Sequence, residues 1–417
     1  MFDLDRFQEI WVTITRNKVR SLLTGFGVFW GIFMLVIMMG AGTGLQRGMM
    51  KGIKGFATNS CVMGASPTGE AYKGFRKGRT WNMHNSDLEL LRRSIPELDV
   101  LSPVLWGSRT TNNVVYGNNS GTYNVRGLHS NFQFIENPFL TQGRFINELD
   151  LIHRRKVCVI GTKVYEELFP TRGNPLGRQL RVNGIFFQIV GVAQGVTNMD
   201  MGGKTSESIA ISFTIMQQIN NQGDIIHMIA ATVKPGHSAK VMEERMKEVL
   251  KAHNNISPTD TQAIWSFNME EVFNMYKYLF LGIIILVWIV GSGTLVAGIV
   301  GVSNIMLVTV KERTKEIGIR RALGAKPKTI ISQIMAESLV LTTIAGILGL
   351  SLGVLCLQLA DVYWLQQVDN VFLTDPMVPF GIAVWSTVIL LVCGLLAGLL
   401  PASRALKIKA IDAIREE

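Results

Sequence analysis

Four stretches of this chain are apolar for long enough to cross a bilayer, and that fact limits its architecture before anything else does. A hydrocarbon core of about 30 Å takes roughly 20 residues of helix. The first stretch is Ser21–Leu45, between Arg20 and Arg47, and the second is Tyr278–Val310, between Lys277 and Lys311. The third runs through Ser338–Ala360, and the fourth covers about Val378–Ser403 and stops at Arg404. The first is too long for the apolar core of a signal peptide, so it reads as an anchor that stays. Apolar residues make up 48% of the 417, and the mean hydropathy is +0.27. Both values suit a chain divided between membrane and water. The large segment from 46 to 277 is the part left for water.

Lys and Arg orient the spans. Arg6, Arg16, Lys18 and Arg20 precede the first span. Lys311, Arg313, Lys315, Arg320, Arg321, Lys326 and Lys328 lie between the second and third, and Arg404, Lys407, Lys409 and Arg415 follow the fourth. The segment 361–375 has none. The positive-inside rule then places both termini and the basic loop in the cytoplasm of a bacterial inner membrane, with 46–277 outside. The net charge of +10 reads as a basic surface beside anionic lipid. The basic residues are scattered and carry no nucleic-acid-binding motif, so nucleic acid is excluded as a partner.

The expected fold is an α-helical membrane protein with four transmembrane helices plus an α+β extracytoplasmic domain. Its divisions are a cytoplasmic amphipathic segment 1–20, spans at 21–45, 278–310, 329–360 and 376–403, an outer domain 46–277, a basic loop 311–328, a short outer loop 361–375 and a tail 404–417. The second span is too long for the membrane alone, so it should extend outward as a stalk from about residue 269. Such a rod suits the transmission of motion. Small residues recur four apart on each span: Gly27 and Gly31; Gly293, Ala297 and Gly301; Ala345, Gly349 and Gly353; Gly394, Gly398 and Ala402. This spacing lets helix backbones approach closely, either within one chain or across a dimer seam. Four spans are few for a pathway, which favours the dimer.

The outer segment has a split pattern. Strands are expected at Asn59–Gly64, Asp99–Leu105, His227–Val233 and Gln262–Phe267. Helices are expected at Ser86–Ser94, with Ser86 as N-cap and Glu89 three residues on, and at Ser238–His253. These make two βαβ units from the two ends of the segment, a split βαβ subdomain. Between them, Asn113–Gly223 reads as an inserted, mostly β subdomain with strands at Lys156–Ile160, Gln179–Val182, Phe186–Val192 and Ser208–Phe213. Gly195–Ser206 reads as a mobile loop. Cys356 and Cys393 lie in apolar runs as packing residues. An oxidising compartment would allow Cys61 and Cys158 one disulfide.

Reactive chemistry is hard to find in this sequence. Gly203-Lys204-Thr205 matches only the end of a phosphate-binding loop, because Asn198 stands where its first glycine belongs. The six histidines have no metal-ligand spacing, and no GxSxG elbow presents a serine nucleophile. The richest segment is the basic loop. Ile317, Arg320, Arg321 and then Gly324 read as a short amphipathic helix ended by glycine, either a solvated loop beside anionic lipid or a docking helix for a soluble partner. Glu337 near the start of the third span has two readings, a functional intramembrane carboxylate or an interfacial residue beside the basic loop; the second is favoured.

At this loop the sequence resembles the FtsX-like permease domain of MacB-type ABC transporters. Asn304-Ile305-Met306 and then Glu312-Arg313-Thr314-Lys315-Glu316-Ile317-Gly318-Ile319-Arg320-Arg321-Ala322-Leu323-Gly324-Ala325 follow the family's long motif. Glu337-Ser338, Pro401-Ala402, the basic tail and Lys18–Gly31 continue the likeness. In the outer segment, Gly143-Arg144-Phe145, Lys156–Gly161, Leu168-Phe169, Pro175-Leu176-Gly177 and Val190-Gly191-Val192 resemble the MacB periplasmic core. The resemblance implies a homodimeric permease, or one paired with a related permease, without an enzymatic site of its own. It implies that Glu312, Arg313, Glu316, Ile317, Gly318, Arg320, Arg321 and Gly324 couple it to a cytoplasmic ABC ATPase, with ATP and Mg on that partner and no cofactor in this chain. The best-known member fuses the ATPase to the permease N-terminus, so here a separate ATPase chain is expected. An adaptor and an outer-membrane channel are the family's common arrangement. Export of drugs, peptides or other envelope substrates is the leading expectation, with lipoprotein release or signalling to an envelope hydrolase as alternatives.

Overall fold

The computed structural model describes residues 18–53, 55–107, 112–170, 173–195, 203–365, 376 and 380–406. In chain order they form α1 (Lys18–Ile53), β1 (Ser60–Ala65), β2 (Met83–His84), α2 (Asn85–Ser94), β3 (Leu98–Trp106), β4 (Asn113–Tyr116), β5 (Asn119–Thr122) and β6 (Asn124–Leu128). Next come β7 (Phe139–Gly143), α3 (Glu148–Ile152), β8 (Val157–Gly161), α4 (Thr162–Leu168), β9 (Gln179–Val182), β10 (Ile185–Gln194), β11 (Ser208–Ser212) and α5 (Phe213–Ile219). Last are β12 (Ile225–Ile226), β13 (Met228–Val233), α6 (Ala239–His253), β14 (Ile264–Asn268), α7 (Met269–Glu312), α8 (Thr314–Ala322), α9 (Pro327–Ala360) and α10 (Phe380–Ala405). The chain divides into two compact units, residues 50–277 and residues 1–49 with 278–417.

In the first of these units, β1–α2–β3 and β13–α6–β14 interleave. Strand order is β14-β1-β13-β3, antiparallel at each pairing, so each βαβ unit has a strand of the other inserted between its own two: a split βαβ. Helix α6 buries Ala239, Met242, Met246 and Leu250, one face at helical spacing. Ser238 caps it by accepting from the Lys240 N–H at 3.2 Å. The start of α2 differs from expectation. His84, not Ser86, occupies the cap position, because the Asp87 carboxylate reaches back to accept from the His84 N–H at 2.8 Å.

The inserted strands do not close into a sheet of their own. β3 pairs antiparallel with β6, with Val104 opposite Leu128. From there the sheet continues through β11, β8, β10, β9, β4 and β5. One mixed twelve-stranded sheet among the described residues thus serves both the split βαβ part and the insertion. A buried cluster absent from the sequence reading ties the insertion together. Arg126 Nη1 lies 3.1 Å from Glu136 Oε2, its Nη2 donates to Thr205 Oγ1 at 2.7 Å, and Thr205 donates to Glu136. Thr205, which closes the partial phosphate-loop match, is therefore a structural residue. The terminal residues 1–17 and 407–417, the 196–202 part of the glycine-rich loop and the 366–375 part of the outer loop lie outside the described residues.

Sheet order also decides the disulfide question. Cys61 lies on β1 and Cys158 on β8, five strands apart in the sheet. At about 4.8 Å per strand their backbones are about 24 Å apart, far beyond the roughly 7 Å that a bridge spans. Both are free and buried, and burial pushes both thiols well above their usual range.

Four helical segments among the described residues are long and apolar enough to span a membrane: Gly25–Ile53, Met269–Glu312, Pro327–Tyr363 and Val384–Ala405. α7 is continuous for 44 residues, about 66 Å at 1.5 Å per residue, so the expected stalk and span are one helix. α1 runs beyond Leu45 to Ile53, and α9 begins at Pro327, ahead of the apolar run.

Glycines set the helix crossings. A Cβ on Gly27 would stand 3.0 Å from Gly298 Cα, and one on Gly349 would meet the Phe29 carbonyl oxygen at 2.6 Å. Gly353 lies against Val36, Gly394 against Thr342, and Gly398 against Met335 and Ser338. On α7 the crossing with α1 runs through Gly291 and Gly298, while Gly293 and Gly301 face open space and Ala297 is exposed. Of the two readings of this spacing, packing within one chain and a dimer seam, the first is not what Gly293, Ala297 and Gly301 show among the described residues. At 3.6 residues per turn, Gly298 lies roughly 140° around the helix from Gly293. Gly298→Leu is expected to cost about 1–3 kcal/mol by overpacking, and Gly293→Leu to stay within about 0.5 kcal/mol. Thermal unfolding of the detergent-solubilised monomer distinguishes them; equal losses would contradict this packing.

Candidate functional site

The candidate site is built where α7 gives way to α8 and α9. Arg313 stands at the α7–α8 junction, in the N-cap position of α8. The end of α8 is a glycine stop: Gly324 takes φ +91°, its N–H donates to Arg321 O at 3.1 Å, and the Ala325 N–H donates to Arg320 O at 3.0 Å. This double bond pattern is a Schellman motif, and Pro327 then opens α9 at its first turn. The sequence Leu323-Gly324-Ala325-Lys326-Pro327 thus encodes one sharp reversal.

Side chains fasten α8 to its neighbours. Arg313 Nη1 lies 2.9 Å from Glu337 Oε1. Glu337, only 4% exposed, sits on α9 well inside the helix. Arg320 donates to Gln333 Oε1 at 2.8 Å and to Glu316 Oε1 at 2.9 Å. Arg321 donates to the Leu406 carbonyl at 2.9 Å, just past α10. Ile317 and Gly318 are buried. Arg313, Glu316, Arg320, Gln333 and Glu337 line a small cavity of about 30 Å³, open to solvent, together with apolar residues that include Ile317 and Ile334. Further along α9, Ser338 Oγ donates to Gly394 O at 2.9 Å.

The opposite side of α8 has a different character. Ile319 is 51% exposed and Leu323 84%, and they lie four residues apart on one face. Lys311, Glu312, Lys315 and Glu316 are exposed beside them. The sequence reading singled out the charged residues of this loop; the structure turns Arg313, Arg320 and Arg321 toward the bundle and leaves two aliphatic side chains outward. Gln333, the Leu406 carbonyl and the Ile319–Leu323 pair were not singled out. The i,i+4 spacing of Ile319 and Leu323 was the available signal.

The other end of α7 is rooted within residues 50–277. Glu270, in its first turn, accepts from Ser238 Oγ at 3.0 Å and from the backbone N–H groups of Ala239 and Lys240, so one carboxylate caps the start of α6. Lys240 Nζ lies 2.9 Å from Glu271 Oε1. Val272, Phe273 and Tyr276 pack on the core of this unit. Burial alone would raise the Glu243 carboxyl, but hydrogen bonds from Lys247, Ser266 and Asn268 outweigh it and hold it below its usual 4.5. A carboxyl depressed in the folded state stabilises fully above its unfolded value and loses that contribution as pH falls through the folded value. Glu243→Gln should therefore lower the unfolding temperature near about pH 7, with the difference from the parent shrinking below about pH 4. Unfolding curves across that range check it; a gap that stays constant would contradict the assignment.

Residues 21–249 match the family model of the MacB-like periplasmic core domain, and residues 288–410 match that of the FtsX-like permease C-terminal region. The chain is 29% identical over 419 residues to the pyoverdine export ATP-binding/permease protein PvdT of Pseudomonas savastanoi pv. phaseolicola, covering 99% of this chain and 60% of that protein. It is 26% identical over 416 residues to the macrolide export ATP-binding/permease protein MacB of Bdellovibrio bacteriovorus, covering 99% and 62%. The chain thus spans about three-fifths of the length of these relatives. The periplasmic region of MacB from Actinobacillus actinomycetemcomitans aligns with 55% of this chain and 97% of its own length, at 20% identity and a TM-score of 0.44.

Proposed function

The chain belongs to the MacB-type ABC permease family, and we propose that it is the permease of an exporter in which α8 receives the motion of an ABC ATPase. In this reading the loop 311–328 faces the cytoplasm, both termini lie on that side, and residues 50–277 stand in the periplasm. The observation that carries it is the two-sided character of α8. One side is fastened to α9 and to Leu406 by Arg313, Arg320 and Arg321, and the other presents Ile319 and Leu323 to solvent. A helix held firmly by its own bundle and apolar on its free face suits a contact that delivers force. The continuous α7 then leads from that contact to the residues that cap α6.

ATP and Mg belong to the partner in this proposal. Pyoverdine and macrolide export, for which these relatives are named, support a small-molecule cargo over lipoprotein release or signalling. The open face of α7 supports a second permease copy, identical or related: Gly293 and Gly301 have nothing against them, and Asn304 is exposed on a spanning helix, where an amide favours an interhelical partner. A periplasmic adaptor and an outer-membrane channel complete the proposed assembly.

Ile319→Asp with Leu323→Asp is expected to weaken binding of the ATPase chain by about tenfold or more, as loss of an apolar hot spot does, while the permease keeps its unfolding temperature. Arg320→Glu with Arg321→Glu should also lose the ATPase, by unfastening α8. Co-purification from native membranes reads both. An Asp pair that retains the ATPase and its stimulated hydrolysis would overturn the proposal.

A further inference from the structure

We infer that Arg313 and Glu337 are a positioning pair that makes α8 and α9 move as one body. This rests on the reading of α8 as the receiving helix. Glu337 is 4% exposed on a helix whose neighbouring residues are largely apolar. An ionised carboxylate there is costly without a cation, and Arg313 supplies it at 2.9 Å. The cation comes from the junction between α7 and α8, not from within α9. The pair therefore crosses the hinge at which the long helix ends. Arg320 adds a second polar tie from this segment to α9 through Gln333, and the reversal at Gly324 joins the two helices.

The chemistry explains why the tie resists sliding. A displacement of α8 along α9 by one turn, about 5.4 Å, would separate the charges and strand the carboxylate in an apolar setting. Small rotations of α7 are therefore passed to α9, and Ser338, one residue on from Glu337, is bonded to Gly394 of α10. Glu337 thus acts through Arg313 and not on any cargo, which separates its role from that of the outward pair Ile319–Leu323.

Spin labels at exposed Lys315 on α8 and exposed Leu348 on α9 test the inference in the full-length permease reconstituted in nanodiscs. The parent should give one narrow distance distribution. Glu337→Gln, which keeps the shape and removes the charge, should broaden it, and the exchange Arg313→Glu with Glu337→Arg should narrow it again. With the co-purified ATPase chain added, Glu337→Gln should still bind it, but permease-dependent stimulation of hydrolysis should fall about tenfold, the scale of a coupled pair, and return in the exchange variant. If Glu337→Gln does not reach the membrane, Arg313→Lys is read the same way, since it keeps the charge and loses the planar fork. A distribution as narrow in Glu337→Gln as in the parent, or broadening that the exchange does not reverse, would overturn the inference. Failure of the parent to bind any ATPase would instead overturn the receiving-helix reading and leave the label result standing.

Discussion

A carboxylate enclosed among apolar side chains has to be matched, and in this permease the match is made across a helix junction. An unmatched buried charge costs on the order of 3–5 kcal/mol. That penalty is what places Arg313 against Glu337, and placing Arg313 sets the direction in which α8 leaves α7. Once that direction is set, Ile317 and Gly318 turn inward, Arg320 reaches Gln333, and Ile319 and Leu323 are left facing water. The division of α8 into a fastened side and a free side follows from one ion pair and one glycine turn.

The two units solve the same polar problem by different means. Within the spans, backbone groups are satisfied inside each helix, and close approach is secured by glycines such as Gly27 against Gly298 and Gly349 against Phe29. In residues 50–277 the sheet satisfies the backbone, and among the buried charges Arg126 and Glu136 form a mutually bonded group with Thr205. At the root of α7, Glu270 answers the free N–H groups at the start of α6. Each end of α7 is thus held by a carboxylate in an arrangement local to its own unit.

Much of this was legible in the sequence because the signals are periodic and strong. Apolar runs longer than a bilayer is thick gave all four spanning helices, and alternation gave Gln179–Val182 at its observed bounds. The stop at Gly324 was legible because it depends on local backbone chemistry, whereas the cap expected at Ser86 falls on His84. What was not legible depends on partners distant in sequence. The continuity of the sheet rests on β3 meeting β6, which no local pattern announces. Small-residue spacing picked out Gly293 and Gly301 and passed over Gly298, because spacing along a helix does not say which face a neighbour covers. Arg126, Glu136 and Thr205 carry no shared motif at all. In the candidate site, charge drew attention to Arg320 and Arg321, while their hydrogen bonds direct them to Gln333 and the Leu406 carbonyl and leave Ile319 and Leu323 exposed.

The pairing of β3 with β13 has a further consequence. Val104 stands opposite Met228, so the chain leaves for the long insertion and returns from it on neighbouring strands. The two ends of that excursion are held a few ångströms apart by a part of the sheet that the excursion does not have to build. A lineage is therefore free to lengthen, exchange or remodel everything between them, as a tool head is changed on a fixed shaft, while the four strands and two helices beneath keep their register.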